Sequence, residues 1–200
     1  TAKICLIDDG EPQHSRSFEV ARQYRFLKGS GLPLRIPVIE MVEIGAGGGS
    51  IARVDTMLRI HVGPESAGAV PGPACYGQGG DTAAVTDANV VLGKIDPADF
   101  AGGTVRLDPS LSAAAVDADV GKPLSLSTAD AAFGISEVVE ENMANAARVH
   151  AVERGKEIRG RTLVAFGGAA PLHAARMATK LDIDAVIVPV AAGVGSAIGF

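Results

Sequence analysis

The period of apolar and polar positions changes several times along the chain, and each change marks a predicted element. Ala2 to Ile7 is a short apolar run that reads as a strand, closed by a turn at Asp8-Asp9-Gly10. Ser17 to Ala21 is its predicted partner, and Gly29 to Pro33 a loop. Ile36 to Ile44 alternates as a strand does, with Pro37 confining it to a start or an edge. Ile51 to Val54 and Leu58 to Val62 read as a pair of short strands. Gly63 to Asp81 is a long Gly, Pro, Ala and Ser segment, extended by patterning to about residue 85, and loops of that size are more often functional than idle.

Helical periods dominate the second half. Thr86-Asp87 opens a short helix to about Lys94, and Ser110 to Val120 is a weaker Ala-rich one. Pro97 to Pro109 is irregular, with room for one strand. The clearest helix runs from Thr128 to about Arg154. Ala132, Ile135, Val139, Met143 and Ala146 form one stripe, with Glu137, Glu140, Glu141 and Arg148 off it. Ser127 or Thr128 can cap it, and Gly155 can stop it. Thr162 to Phe166 and Ala185 to Val190 read as buried strands around a helix from Pro171 to about Leu181. Gly193 to Ile198 leads into a further turn or helix.

Composition sharpens this picture. The 200 residues are 47% hydrophobic and 20% charged, which fits a folded chain able to bury a core. Glycine is the outlier at 25 residues, ten of them between Gly45 and Gly80, against a usual ~7%. Aromatic residues are only 4%, so Ala, Val, Ile and Leu must build the core. A net charge of −5 argues against a nucleic acid or anionic membrane held by bulk charge. Cys5 and Cys75 form no CxxC pair and read as two free thiols of a reducing, cytoplasmic setting. No signal peptide or membrane span is predicted. Both ends read as cut inside structure, which predicts a fragment of a longer chain.

Two glycine segments are candidate binding turns. Ile44-Gly-Ala-Gly-Gly-Gly-Ser-Ile-Ala52 lies between predicted strands, where its amides can converge on an anion with the Ser50 hydroxyl. It matches neither a Walker loop nor a dinucleotide fingerprint, and close backbone packing explains it equally well. Leu163 to His173 reads as strand, Gly167-Gly168 turn and helix, with Pro171 in the first turn. Such a helix start offers free N–H groups to a nucleotide. Asp87 is read first as a capping acid and second as a metal ligand. His173 is read first as structural and second as catalytic. His14, His61 and His150 have no zinc spacing, and no base can be named for Cys75 as a nucleophile.

Five segments carry a family resemblance. They are Ile44 to Ala52, Val62-Gly-Pro-Glu-Ser-Ala-Gly-Ala69, Pro71-Gly-Pro-Ala-Cys-Tyr-Gly77, Thr86-Asp-Ala-Asn89, and Val164-Ala-Phe-Gly-Gly-Ala-Ala-Pro-Leu-His-Ala174. As a set they resemble the hydantoinase A/5-oxoprolinase family, which includes ATP-dependent N-methylhydantoinases and subunits of acetone and acetophenone carboxylases. The resemblance implies an α/β fold: a ribonuclease-H-like domain of the actin, heat-shock chaperone and sugar-kinase ATPase superfamily, with a mixed sheet flanked by helices. Residues 1–200 would be one domain, most of the second ATPase-like domain of a longer protein. Two departures stand out. Ala170 replaces a glycine of the family pattern, and Thr56-Met57-Leu58 stands where a glycine is usual.

The resemblance implies ATP and Mg2+ as cofactors and phosphorylation of a cyclic amide carbonyl before ring opening. A ketone-carboxylase subunit is the alternative, and an inactive folded domain serving subunit interaction is a third reading. It places Gly45, Gly47, Gly48, Gly49 and Ser50 on the phosphate or substrate side and Gly167, Gly168 and Ala169 on the adenosine side. Asp87 and His173 are the candidate catalytic residues, and no metal ligand is named. A B-type hydantoinase subunit and the N-terminal domain are the implied partners.

Overall fold

The computed structural model describes residues 1–21, 23 and 29–195. The opening run forms β1 (Ala2–Cys5) and β2 (Ile7–Asp8), and β2 turns tightly into β3 (Glu11–Pro12). Asp9 and Gly10 both have positive φ, 55° and 83°, the backbone a two-residue hairpin needs. Next come β4 (His14–Ser15), β5 (Phe18–Val20), β6 (Leu32–Leu34), β7 (Val38–Ile39) and β8 (Met41–Ile44). The expected pairing of Ser17–Ala21 with the first strand is corrected. β1 takes β8 as its antiparallel partner, and β5 pairs with β6 inside the expected loop. Patterning marks an extended segment without naming its partner, and the Gly29 and Pro33 turn signals hid the Leu32–Leu34 strand.

β9 (Ser50–Val54) and β10 (Ile60–Ser66) form the expected antiparallel pair, joined by a turn at Asp55–Arg59. Asp55 accepts from the amides of Met57 and Arg59, both at 2.9 Å. The Gly/Pro segment after β10 carries one 3-10 turn, Ala74–Tyr76, and leads to α1 (Val85–Val91). Then follow α2 (Pro109–Val116), a π-helical turn at Asp117–Gly121, and the single turn α3 (Lys122–Leu124). No strand forms between Pro97 and Pro109.

The axis of the molecule is α4 (Thr128–Glu153), 26 residues long and about 39 Å at 1.5 Å per residue. Ser127 caps it, accepting from the Asp130 amide at 3.1 Å. Its stripe of Ala132, Ile135, Val139, Met143 and Ala146 is buried against β8, β9, β10, α1, α2 and α5 (Ala170–Leu181). The small residues let neighbours approach closely. A Cβ on Gly134 would stand 2.7 Å from Ile60 Cδ1.

β11 (Thr162–Val164) and β12 (Ala185–Ile187) flank α5 and pair in parallel. The expectation that they are buried is corrected. Val164, Phe166, Ile187 and Val190 are exposed, because no described element covers that face. A single mixed sheet is not observed either. The described strands form six two-stranded sheets, one of them parallel. Among the described residues no helix is long and apolar enough to cross a membrane.

Candidate functional site

The two glycine turns sit at opposite ends of a short path through α1. At one end is the Gly45–Ser50 turn between β8 and β9. Its Ser50 hydroxyl accepts from the Gly47 amide at 3.0 Å and closes the turn on itself. The Gly48 carbonyl takes two bonds from the start of α1, from the Thr86 amide at 2.8 Å and the Thr86 hydroxyl at 2.9 Å. Side chains are excluded here by contact. A Cβ at Gly45 would lie 2.9 Å from Pro64, at Gly48 2.7 Å from Thr86 Oγ1, and at Gly49 2.8 Å from Ser66 Oγ. These glycines therefore serve close packing. The half-buried amides of Gly48 and Gly49 nevertheless donate to no protein group among the described residues.

Asp87 sits one residue further along α1, with its side chain fully buried. One carboxylate oxygen accepts from the Cys75 amide at 2.8 Å and Ser112 Oγ at 3.0 Å. The other accepts from the Ala84 amide at 2.9 Å and the Ala74 amide at 3.1 Å. A buried carboxylate tolerates its charge only when so many donors meet it. Asp87 thus caps α1 from inside the first turn and pins the Ala74–Tyr76 turn to α2. Cys75 shares this pocket. Burial first, then the neighbouring Asp87 charge, pushes its thiol up to about 12, so it carries no thiolate at neutral pH. Both cysteines are free thiols.

Two residues on from Asp87, Asn89 points the other way along the path. Its Nδ2 lies 3.4 Å from His173 Nε2, and His173 Nδ1 lies 2.9 Å from Glu140 Oε1. Lys94 Nζ reaches the same Glu140 oxygen at 3.1 Å, and Ser136 Oγ at 3.0 Å. Burial raises the Glu140 carboxyl, but the bonds from His173 and Lys94 outweigh it and hold the group below its usual range. An ionised Glu140 only accepts, so His173 donates through Nδ1–H and Nε2 accepts from Asn89. Asn89 Oδ1 is buried without a partner. The sequence pattern singles out His173 but not its companions Lys94, Ser136 and Asn89. The placing of Glu140 off the apolar stripe of α4 is corrected: Ser136 and Glu140, at i and i+4, are both buried.

At the far end lies the Gly167–Gly168 turn. Gly167 has φ +100°, which only glycine adopts cheaply, and its amide donates to Ala192 O at 2.7 Å. A Cβ on Gly167 or Gly168 would meet nothing within 4 Å, so this turn is open. Ala169 caps α5 with no side-chain acceptor, and Pro171 lies in the first turn. Pro171 has no amide hydrogen and the Leu172 amide donates to Ala169 O at 3.1 Å, so the amides of Gly168, Ala169 and Ala170 are the ones without a protein acceptor at the positive end of the helix dipole. Ala170 is helical, so its methyl is compatible with this backbone. His173 stands within the same opening turns of α5 and ties this end to α1 and α4. No group of three or more His, Cys, Asp or Glu able to hold a metal occurs among the described residues.

A model of the family described as hydantoinase/oxoprolinase matches residues 1–200. The chain belongs to the hydantoinase/oxoprolinase family. Its relatives in this family include an uncharacterised protein of Methanocaldococcus jannaschii, 39% identical over the whole of this chain and 29% of its own length. The caprolactamase subunit alpha of Pseudomonas jessenii is 41% identical over 77% of this chain and 22% of that subunit. Among solved structures, a nucleotide-free acetone carboxylase superposes with a TM-score of 0.83 at 32% identity, covering 98% of this chain and 27% of that one. The ATP-dependent caprolactamase of P. jessenii gives 0.76 at 38% identity, covering 88% and 26%. The chain thus spans under a third of the length of these relatives.

Proposed function

We propose that residues 1–200 form most of the second ATPase-like domain, of actin and sugar-kinase type, in a longer cytoplasmic enzyme that opens a cyclic amide at the expense of ATP. The observation that carries this reading is the open Gly167–Gly168 turn at the uncapped start of α5 in a chain of this family. ATP, brought as its Mg2+ complex, would supply the phosphoryl group that makes the amide oxygen a leaving group before water opens the ring. The chain's own share is positional. Gly168 and Ala169 present free amides, and Gly167 and Gly168 unobstructed space, to the adenosine side. Gly48 and Gly49 present two free amides on the phosphate or substrate side, with Gly45, Gly47 and Ser50 holding the turn closed.

Asp87 and His173, the candidate catalytic residues, contribute in this reading as positioning residues. Both are fully buried and fully engaged, Asp87 under the Ala74–Tyr76 turn and His173 beneath the α5 start. A second, B-type subunit completes the enzyme, as the named subunits among the relatives suggest. A second reading, a subunit of an ATP-dependent ketone carboxylase, is favoured by the higher structural likeness to acetone carboxylase.

The test is ADP release by the full-length protein with its B-type subunit, offered hydantoin, 5-oxoproline, caprolactam or acetone with bicarbonate. Release that depends on a lactam supports the first reading, and release that depends on ketone supports the second. ATP turnover that responds to none of them refutes both.

A further inference from the structure

Lys94 reaches Glu140 because of how α1 ends. Gly93 has φ +68° and its amide donates to Val90 O at 3.0 Å, while the Lys94 amide donates to Asn89 O at 2.9 Å. These two bonds form the glycine-centred stop that reverses a chain at a helix end. The reversal carries Lys94 back towards α4, where Nζ donates to Ser136 Oγ at 2.7 Å and to Glu140 Oε1 at 3.1 Å. Asn89 is thus used twice. Its carbonyl fixes the Lys94 backbone, and its side chain meets His173.

Charge balance decides the state of His173. Glu140 is ionised and buried, and among the described residues Lys94 is the lysine or arginine that touches it. The other charged groups around His173 are engaged elsewhere. Glu137 on α4 takes Arg176 of α5 at 2.6 and 3.0 Å and Lys180 at 3.0 Å. Asp87 on α1 is closed by three amides and the Ser112 hydroxyl. The Lys94 ammonium against the Glu140 carboxylate leaves no net charge for His173 to balance, so the imidazole stays neutral and Nε2 stays an acceptor.

Without the Lys94 charge the buried carboxylate lacks its cation, and the replacement at hand is a proton from water on His173. Nε2 then donates and faces the Asn89 Nδ2 donor. A half turn of the Asn89 amide brings Oδ1 onto Nε2 instead, and Oδ1 is buried without a partner as the site stands. That turn leaves Nδ2 without its acceptor, so the second arrangement is the weaker hold. The Asn89–His173 contact therefore has two arrangements, selected by the charge on Lys94. His173 lies in the first turn of α5, directly after the Gly167–Gly168 turn and Ala169. We propose that Lys94 is a positioning residue of the nucleotide turn: its charge on Glu140 keeps His173 in the arrangement that fixes the start of α5 for a nucleotide. This rests on the reading of Gly167–Gly168 as the adenosine side, and the two readouts below separate the two.

The experiment titrates the full-length protein with the β,γ-imido analogue of ATP and Mg2+ by calorimetry, from about pH 6.5 to about pH 9, across the range where imidazole loses its proton. The readout is the ratio of each variant's dissociation constant to that of the wild type at the same pH, which removes titration of the ligand itself. Lys94→Met is expected to bind about tenfold more weakly at the acid end and to regain affinity as pH rises and His173 gives its proton back. Lys94→Arg keeps the charge and should match the wild type. Glu140→Gln added to Lys94→Met should restore binding and abolish the pH dependence, since no buried anion then calls for a proton. A ratio for Lys94→Met that is the same at every pH, or that Lys94→Arg shares, overturns the proposal and leaves Lys94 a structural partner. Hydrogen exchange of residues 166–174 in the ligand-free protein is the second readout. At the acid end it should quicken in Lys94→Met and not in Lys94→Arg, and unchanged exchange overturns the proposal whether or not nucleotide binds. If the wild type binds no nucleotide while exchange behaves as expected, the hold of Lys94 on the start of α5 stands and the nucleotide reading falls.

Discussion

Asn89 and His173 are 84 residues apart in sequence and meet side chain to side chain, with Nδ2 3.4 Å from Nε2. Through this pair the helix whose Thr86 holds the Gly45–Ser50 turn also holds the helix that opens at Gly168. The two candidate binding turns are therefore fixed relative to each other by one buried polar chain: Thr86, Asn89, His173, Glu140 and Lys94.

That chain predicts a large penalty for breaking its centre. Glu140→Ala leaves His173, Ser136 and Lys94 without their common acceptor, in a site where Glu140 and His173 are inaccessible. The cost is expected to be about 3–5 kcal/mol, read as a fall in the urea midpoint at unchanged slope. Glu140→Gln should cost less, because one oxygen still accepts. Equal losses for the two variants would show that the charge, not the acceptor, is what the network needs.

Asp87 and Cys75 give a paired prediction. Asp87→Ala abandons three buried amides and the Ser112 hydroxyl, and is expected to destabilise by at least about 3 kcal/mol. Cys75→Ser, by contrast, should preserve ATP turnover in the reconstituted enzyme. In the native chain Cys75 should resist Ellman's reagent until denaturant is added, since burial and Asp87 hold its thiol at about 12. Fast native labelling at Cys75 would contradict the buried clamp.

Leu58 occupies the left-handed region at φ 59° in the exposed turn between β9 and β10. A glycine here would carry no Cβ against this left-handed backbone. Leu58→Gly is expected to stabilise by about 1 kcal/mol through relief of the Cβ clash, measured as a rise in melting temperature. A fall would mean that the lost leucine contacts outweigh the strain.

The acid limb of stability follows from Glu137 and Asp8. Bonds from Arg176 and then Lys180 hold Glu137 down at about 2, and bonds from Lys156 and Arg161 hold Asp8 at about 2. A carboxyl depressed in the folded state stabilises above its ordinary range and loses that contribution as pH falls through the folded value. Melting temperature should therefore decline from about pH 4.5 towards pH 2. Glu137→Gln should flatten that slope, and added salt should shrink the difference, because these pairs are solvent-accessible. A slope identical to wild type would remove Glu137 from the account.

Local signals sufficed for elements whose instructions are adjacent in sequence. The apolar stripe and Ser127 cap of α4, the Asp9-Gly10 hairpin and the glycine turns were all legible, because period, capping and positive φ act over a few residues. The five motifs were likewise enough to indicate the family. Partnership was not legible. That β1 pairs with β8, that Phe18–Val20 pairs with Leu32–Leu34, and that the β11–β12 pair is left uncovered are decided by which surfaces meet. The same holds for function-bearing residues. Asp87 looked like a helix-start acid, and only folding shows that it also clamps a turn 12 residues upstream and a serine 25 residues downstream. His173 looked solitary until tertiary structure placed Glu140, Lys94 and Asn89 around it. A buried charge needs partners from several elements at once, and a sequence records its neighbours along the chain but not those across space.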